Sequence, residues 1–229
     1  MPFSWNPISR QHISLIINIL ASLFFITVLM FKKGYNYVPM ILSGISVIYP
    51  LLYLVKFKQK WITDKEDKGI IYAFLLYFAT FVISAVVHGD GFREIDNPSR
   101  ILLFIPLILL FSQFPLKPQF IFHAIPIGAI VTGFLALYQK FVLGAKAFTN
   151  VTHHIQSGNI SVTLSMLSVV VGIYWFIKKD YKCAALCLIG VLFGLLLSVI
   201  SGARGGWVGL PLVILAILFF IISISIKNY

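Results

Sequence analysis

A chain of 229 residues that is 59% hydrophobic and 11% charged lies far from a soluble domain, in which about 25% of residues are charged. That composition, with a mean hydropathy of +0.96, excludes a soluble enzyme, a disordered tail and a nucleic-acid module, and indicates an integral membrane protein. The formal net charge of +11 reads here as orienting charge, because cytoplasmic loops collect Lys and Arg.

A spanning helix needs about 20 predominantly apolar residues. The first candidate, Ile13–Phe31, is too long for a signal-peptide core and no small-residue cleavage site follows, so it reads as a retained helix. Tyr37–Val55 and Ile70–Val87 come next, joined by the Lys-rich, solvated loop Lys56–Lys68. Ile101–Phe114 is short: a full span that borrows its flanks, or a re-entrant segment. Phe120–Tyr138, Ile160–Ile177, Cys183–Ile200 and Trp207–Ile226 complete the series. The expected fold is all-α, a polytopic transmembrane helical bundle of about eight spans.

With the N-terminus in the cytoplasm, 11 of the 18 Lys and Arg residues fall inside and 7 outside, which favours that orientation. Three of the four arginines fall outside (Arg93, Arg100 and Arg204). Orientation does not call for arginine there. A phosphate-holding site would, because guanidinium is a planar fork that grips phosphate oxygens bidentately.

Three outward segments carry the candidate chemistry. The stretch from His88 to Arg100 holds Asp90, Glu94 and Asp96 beside Arg93 and Arg100. It is either a wet loop with surface ion pairs of little energetic weight or a site in which Arg100 turns inward to an anion. The second stretch, Asn150 to Asn159, contains His153 and His154. Either could serve as base or interfacial donor, but adjacent histidines diverge and nothing completes a zinc set. It leads into a helix with Ser161, Ser165, Ser168 and Gly172 at helical spacing, a stripe suited to close packing. Gly190 and Gly194 form a similar packing pair, and Cys183 and Cys187 read as helix packing with no disulfide framework.

The third segment is Ser201-Gly-Ala-Arg-Gly-Gly-Trp207. Arg204 has no acid near it in sequence, and an unpaired cation costs about 2.5–3.5 kcal/mol at the centre of a spanning helix, less near the interface. Gly202, Gly205 and Gly206 leave the backbone bare, so an anionic ligand could approach amides and guanidinium together. The plainer alternative is a snorkelling arginine beside an interfacial tryptophan.

This turn, opening a long apolar helix, resembles the Thr/Ser-x-(Ser/Thr/Ala)-Arg-(Gly/Ala)-x signature of the O-antigen ligase and O-antigen polymerase superfamily. The arginine-bearing loop before Ile101 and the Gly/Ser-rich stretch Ser157–Ser165 agree with it in chain order. The resemblance implies a multi-pass enzyme of the bacterial inner membrane with the GT-C type of architecture. Ligases of this family transfer a glycan from undecaprenyl pyrophosphate to a sugar hydroxyl of lipid A–core on the periplasmic side, while polymerases join repeat units on the same carrier. Neither needs a metal or a nucleotide sugar, so no cofactor is expected. The expected partners are the lipid-linked glycan, the surface-glycan acceptor and membrane lipids, with no nucleic acid.

By the same resemblance Arg204 would hold the pyrophosphate and Arg100 would act as a second catalytic arginine. Arg93, His153, His154, Gly205 and Gly206 would contact substrate. The chain would divide into residues 1–182, with six spans, and 183–229, the start of the ligase-related region. Full-length members have more spans and a late periplasmic loop with a further functional histidine and arginine. An amino-terminal portion is therefore expected, with an inactive remnant as one alternative. Another alternative is a transporter of an anionic or lipid-linked solute. It would suit the proline-interrupted spans (Pro39, Pro50, Pro106 and Pro126), but no inverted repeat is visible and the charges collect at span ends. His123, inside a span, reads as a packing residue.

Overall fold

The computed structural model of the protein describes residues 7–57, 65–89, 93–144, 154–202 and 205–227. Every regular element among them is helical: α1 (Pro7–Thr27), α2 (Gly34–Phe57), α3 (Lys65–His88), α4 (Arg93–Ser99), α5 (Phe104–Gln113), α6 (Pro118–Phe141), α7 (His154–Ile177), α8 (Tyr181–Ser201) and α9 (Gly209–Lys227). Tight 3-10 turns precede α5 (Arg100–Leu103) and α9 (Gly205–Val208). In lipid a backbone must satisfy its own hydrogen bonds, so apolar segments of this length become helices. Among the described residues five helices are long and apolar enough to cross a membrane: α1 from Arg10, α3, α6, α7 and α8. The apolar stretch Arg100–Gln113 is shorter.

Local chemistry sets the helix ends. Lys117 is extended (φ −81°, ψ 114°) and Pro118 takes the first helical position of α6, where its missing N–H costs nothing. Asp180 caps α8, its carboxylate accepting from the backbone N–H of Cys183 at 3.1 Å. Gly202 ends α8 in the left-handed region (φ 73°, ψ 10°), a conformation that glycine adopts without steric cost. Helix α7 begins at His154, six residues before the expected Ile160, so the Gly/Ser-rich stretch is the first part of the helix rather than its approach. The arginine-bearing loop is likewise partly helical, as α4.

The chain forms two compact units. One comprises Met1–Asn18 and Pro39–Leu116. Its core gathers Ile17, Leu110 and Phe114, with Tyr49 edge-on to Phe114 at 5.2 Å. Ser112 donates to the Asp67 carboxylate, and Arg10 donates to the Gln113 carbonyl at 3.4 Å. Of the residues of α3, Ala85 is buried, while Tyr72, Leu76, Ile83, Val86 and Val87 are exposed.

The other unit comprises Ile19–Val38 and Lys117–Tyr229. Its centre is the packing of α6, α7 and α8 around Val28, Leu29, Ala129, Ala136, Leu164 and Leu197. Apolar side chains gain little by leaving lipid for one another, so close contact through small residues must hold these helices. The serine stripe of α7 does so. Ser161, Ser165 and Ser168 are fully buried. Ser161 donates to the Gly194 carbonyl, and Ser165 donates to the carbonyls of Ser161 (3.1 Å) and Val191 (3.3 Å). The two that cross to α8, Ser161 to Gly194 and Ser165 to Val191, each contribute about 0.6 kcal/mol. A Cβ on Gly194 would strike the Ser165 hydroxyl, and one on Gly190 would lie 2.9 Å from Cα of Pro126 in α6. The packing therefore does not divide at residue 182, because α8 is held against both α6 and α7.

Candidate functional site

The end of the second unit that carries the α8–α9 turn is its most polar buried region. Helix α8 delivers Ser198 and Ser201 there, and the start of α7 delivers Ser157, Gly158 and Asn159. Ser157 and Ser198 are fully buried and Ser201 is 4% exposed. Ser201 donates to the Ser198 carbonyl at 2.9 Å, and the Ser198 hydroxyl accepts from the indole Nε1 of Trp207 at 3.1 Å. The indole thus ties the 3-10 turn back onto the helix that precedes it.

Gly206 seats the same turn on α7. A Cβ there would lie 3.1 Å from Cβ and Cγ2 of Val162 and 3.3 Å from Oδ1 of Asn159. An added side chain at Gly206 would need Val162 or Asn159 to give by a few tenths of an ångström, so α7 packs closely on this side of the turn. Two of the three segments expected to face outward are in contact among the described residues: the opening of α7, at Asn159 and Val162, and the glycine turn, at Gly206. The residues between the α8 cap and the 3-10 turn, 203 and 204, lie outside the described residues, and so does His153; Arg204 is thus bracketed by Gly202 and Gly205. Gly205 opens the 3-10 turn, and His154, half-buried, is the first residue of α7.

The first outward segment belongs to the other compact unit. Arg93 begins α4, and Arg100 begins the 3-10 turn that follows it. The Arg100 guanidinium donates to the Asp96 carboxylate at 3.2 Å, one helical turn away, with the two side chains 64% and 68% exposed. This is the surface ion pair of the plainer alternative; such pairs contribute little to stability.

Sequence reasoning missed Asn159, Ser198 and the anchoring role of Trp207. The visible signal was two serines three apart at the end of an otherwise apolar helix, next to a glycine stop. It also missed the partner of His123. Nδ1 of His123 lies 2.7 Å from the Gln119 carbonyl, which can only accept, so Nδ1 carries the hydrogen. Nε2 is left to accept from the Cys183 thiol at 3.4 Å, and the ring packs on Trp175 with centroids 5.2 Å apart. The residue is a satisfied packing histidine. Among the described residues no group of three or more His, Cys, Asp or Glu side chains could hold a metal ion.

No protein-family model matches the chain, and no solved structure matches it. It is 49% identical over 212 residues to an uncharacterized protein of Haemophilus influenzae. The match covers 93% of this chain and 52% of that protein, so the chain spans about half the length of this curated relative.

Proposed function

We propose that the chain is part of a membrane glycosyltransferase of the O-antigen ligase type. It would transfer an undecaprenyl-pyrophosphate-linked glycan to a sugar hydroxyl of lipid A–core on the periplasmic side. The architecture would be GT-C-like, with eight spans in this chain and the N-terminus in the cytoplasm. One observation carries the proposal: an arginine in a Ser-Gly-Ala-Arg-Gly-Gly-Trp turn whose following residues are held on two helices, Gly206 against Asn159 and Val162 of α7 and Trp207 on Ser198 of α8.

The chemistry follows from charge. As the glycosidic bond breaks, negative charge gathers on the departing pyrophosphate. A cation already fixed beside it, in a site partly shielded from water, stabilises that charge without reorganising. Arg204 suits this role because its fork binds two phosphate oxygens at once. The acceptor hydroxyl needs a base, and His154, the first residue of α7, is a candidate for it.

The test is transfer of glycan to lipid A–core in cells whose own ligase gene is deleted, with the full-length gene supplied. Arg204→Ala is expected to lower transfer by roughly a hundred- to a thousandfold, as removal of one transition-state donor does elsewhere. Arg204→Lys should restore a minor part, and chelators should have no effect. Intact transfer by Arg204→Ala would remove the pyrophosphate role. Lengthened glycan chains without transfer to the core would assign the chain to the polymerase branch.

A further inference from the structure

A groove runs along the α7–α8 hairpin, at the end opposite the glycine turn. It has a volume of about 690 Å³ and is bounded by residues 168–177 of α7 and 181–191 of α8. Its lining includes small residues, Gly172 on α7 and Ala184 and Ala185 on α8. It also includes Phe176, Tyr181 and Leu188, which are 63%, 63% and 62% exposed. The Phe176 and Tyr181 rings meet edge to face at 5.9 Å beside its mouth. Ser168 and Tyr181 bring the lining's side-chain hydroxyls, and Ser168 already donates to the Leu164 carbonyl.

The depth of the groove matches a membrane leaflet. Ten residues of α-helix rise about 15 Å, half of the roughly 30 Å hydrocarbon core. The mouth is strongly basic. The chain leaves Ile177 as Lys178-Lys179-Asp180-Tyr181-Lys182, and all three lysines are exposed. Lys179 holds a positive φ of 62°, unusual for a residue with a Cβ. The one acid among them, Asp180, is turned to the α8 cap, where it accepts from the Cys183 N–H at 3.1 Å.

We propose that this groove is a binding site for an anionic phospholipid of the leaflet that adjoins the α7–α8 turn. One acyl chain lies over Gly172, Ala184 and Ala185, and the phosphate sits among Lys178, Lys179 and Lys182. Both helices are long and apolar enough to cross a membrane, and the groove's lining is almost wholly apolar, so a lipid chain suits it. The charge complementarity selects an anionic headgroup over a zwitterionic one. The lipid-linked glycan donor is not the occupant assigned, because the glycines proposed to flank its site, Gly202 and Gly205, lie at the other end of the hairpin. The proposal is independent of the glycosyltransferase reading.

The test uses the purified chain in nanodiscs containing equal amounts of phosphatidylglycerol and phosphatidylcholine, with the lipids retained after gentle delipidation measured by native mass spectrometry. Retention should favour phosphatidylglycerol about tenfold or more, since each lysine near the surface adds to the attraction. The triple variant Lys178→Gln, Lys179→Gln, Lys182→Gln should abolish that preference, and Ala185→Phe should reduce retention of both lipids by filling the groove. Neutralising Lys65 and Lys68, exposed at the start of α3, should leave the preference unchanged. The exposed lysine variants keep the protein testable if Ala185→Phe does not fold. Equal retention of the two lipids would overturn the proposal. So would an equal effect of the Lys65 and Lys68 changes, or protection of the groove by a second copy of the chain.

Discussion

The indole of Trp207 donates to the hydroxyl of Ser198, nine residues earlier, at 3.1 Å. The bond ties the 3-10 turn Gly205–Val208 back to the last turn of α8. A tryptophan at a membrane edge is commonly a belt residue; this one also sets where its turn sits on α8.

Loss of that bond should be measurable. Trp207→Phe and Ser198→Ala should each lower stability in detergent by about 0.5–1.5 kcal/mol, the usual net contribution of one hydrogen bond. The double variant should lose no more than the larger single loss. A double-mutant cycle on unfolding midpoints checks this, and strict additivity would mean that the bond makes no contribution.

The packing of α8 against α6 and α7 predicts a contrast between glycines. Gly194→Ala drives a methyl into the Ser165 hydroxyl, and Gly190→Ala drives one onto the Pro126 backbone. Each should cost about 1–3 kcal/mol, as overpacking does. Gly44, exposed on α2 with nothing within 4 Å of an added Cβ, should accept alanine with a gain of about 0.5–1 kcal/mol. Adding Ser165→Ala to Gly194→Ala should recover part of the loss. Thermal denaturation of the four variants in one detergent decides the matter.

The two cysteines report orientation. Cys183 is partly exposed in the first turn of α8, whereas Cys187 is 1% exposed in a cluster with Ile125 and Val171. A membrane-impermeant maleimide should label Cys183 in inside-out vesicles and not in right-side-out ones. Cys187 should react only after denaturation, as single Cys→Ser variants would show. Labelling of Cys183 from the outer side would invert the chain and move Arg204 away from the periplasm.

Asp180 gives the α7–α8 turn an acid dependence. Its carboxyl lies below the usual carboxylate range, chiefly because it accepts the Cys183 backbone N–H, and burial opposes this only in part. A carboxylate with a lowered folded pKa stabilises the fold above its unfolded value, about 3.9. That contribution is lost as the pH falls through the lower, folded value. Asp180→Asn keeps a capping oxygen but no charge. Unfolding midpoints of the native chain should therefore fall more steeply than those of the variant as the pH drops through about 4. Parallel curves would mean that the cap charge does not contribute.

Much of the helical architecture was legible in the residues. Each of the eight apolar segments overlaps a helix, five of them long and apolar enough to cross a membrane among the described residues, and the spacing of Ser161, Ser165, Ser168, Gly190 and Gly194 marked faces for close approach. The short helix α4 was not legible. Its residues, Arg-Glu-Ile-Asp-Asn-Pro-Ser, are polar and carry a proline, and Asp96 and Arg100 become partners only once a helical turn brings them together. The early start of α7 was hidden for a similar reason. Gln156, Ser157, Gly158 and Asn159 favour loops by local preference, and what draws them into the helix is burial of Ser157 and Gly158 and the seating of Gly206 on Asn159 and Val162.

The residue order alone determined that this chain makes apolar helices and which of their faces carry small side chains. Both are local properties: in hydrocarbon a backbone satisfies itself within one segment, and a face follows from a period of 3.6 residues. Only the tertiary structure decided that Gly194 receives Ser165, that Gly206 rests on α7 and that Trp207 reaches Ser198. Those pairings depend on the shapes of surfaces far apart in the chain, and lipid, as apolar as the helices themselves, does not favour one partner over another.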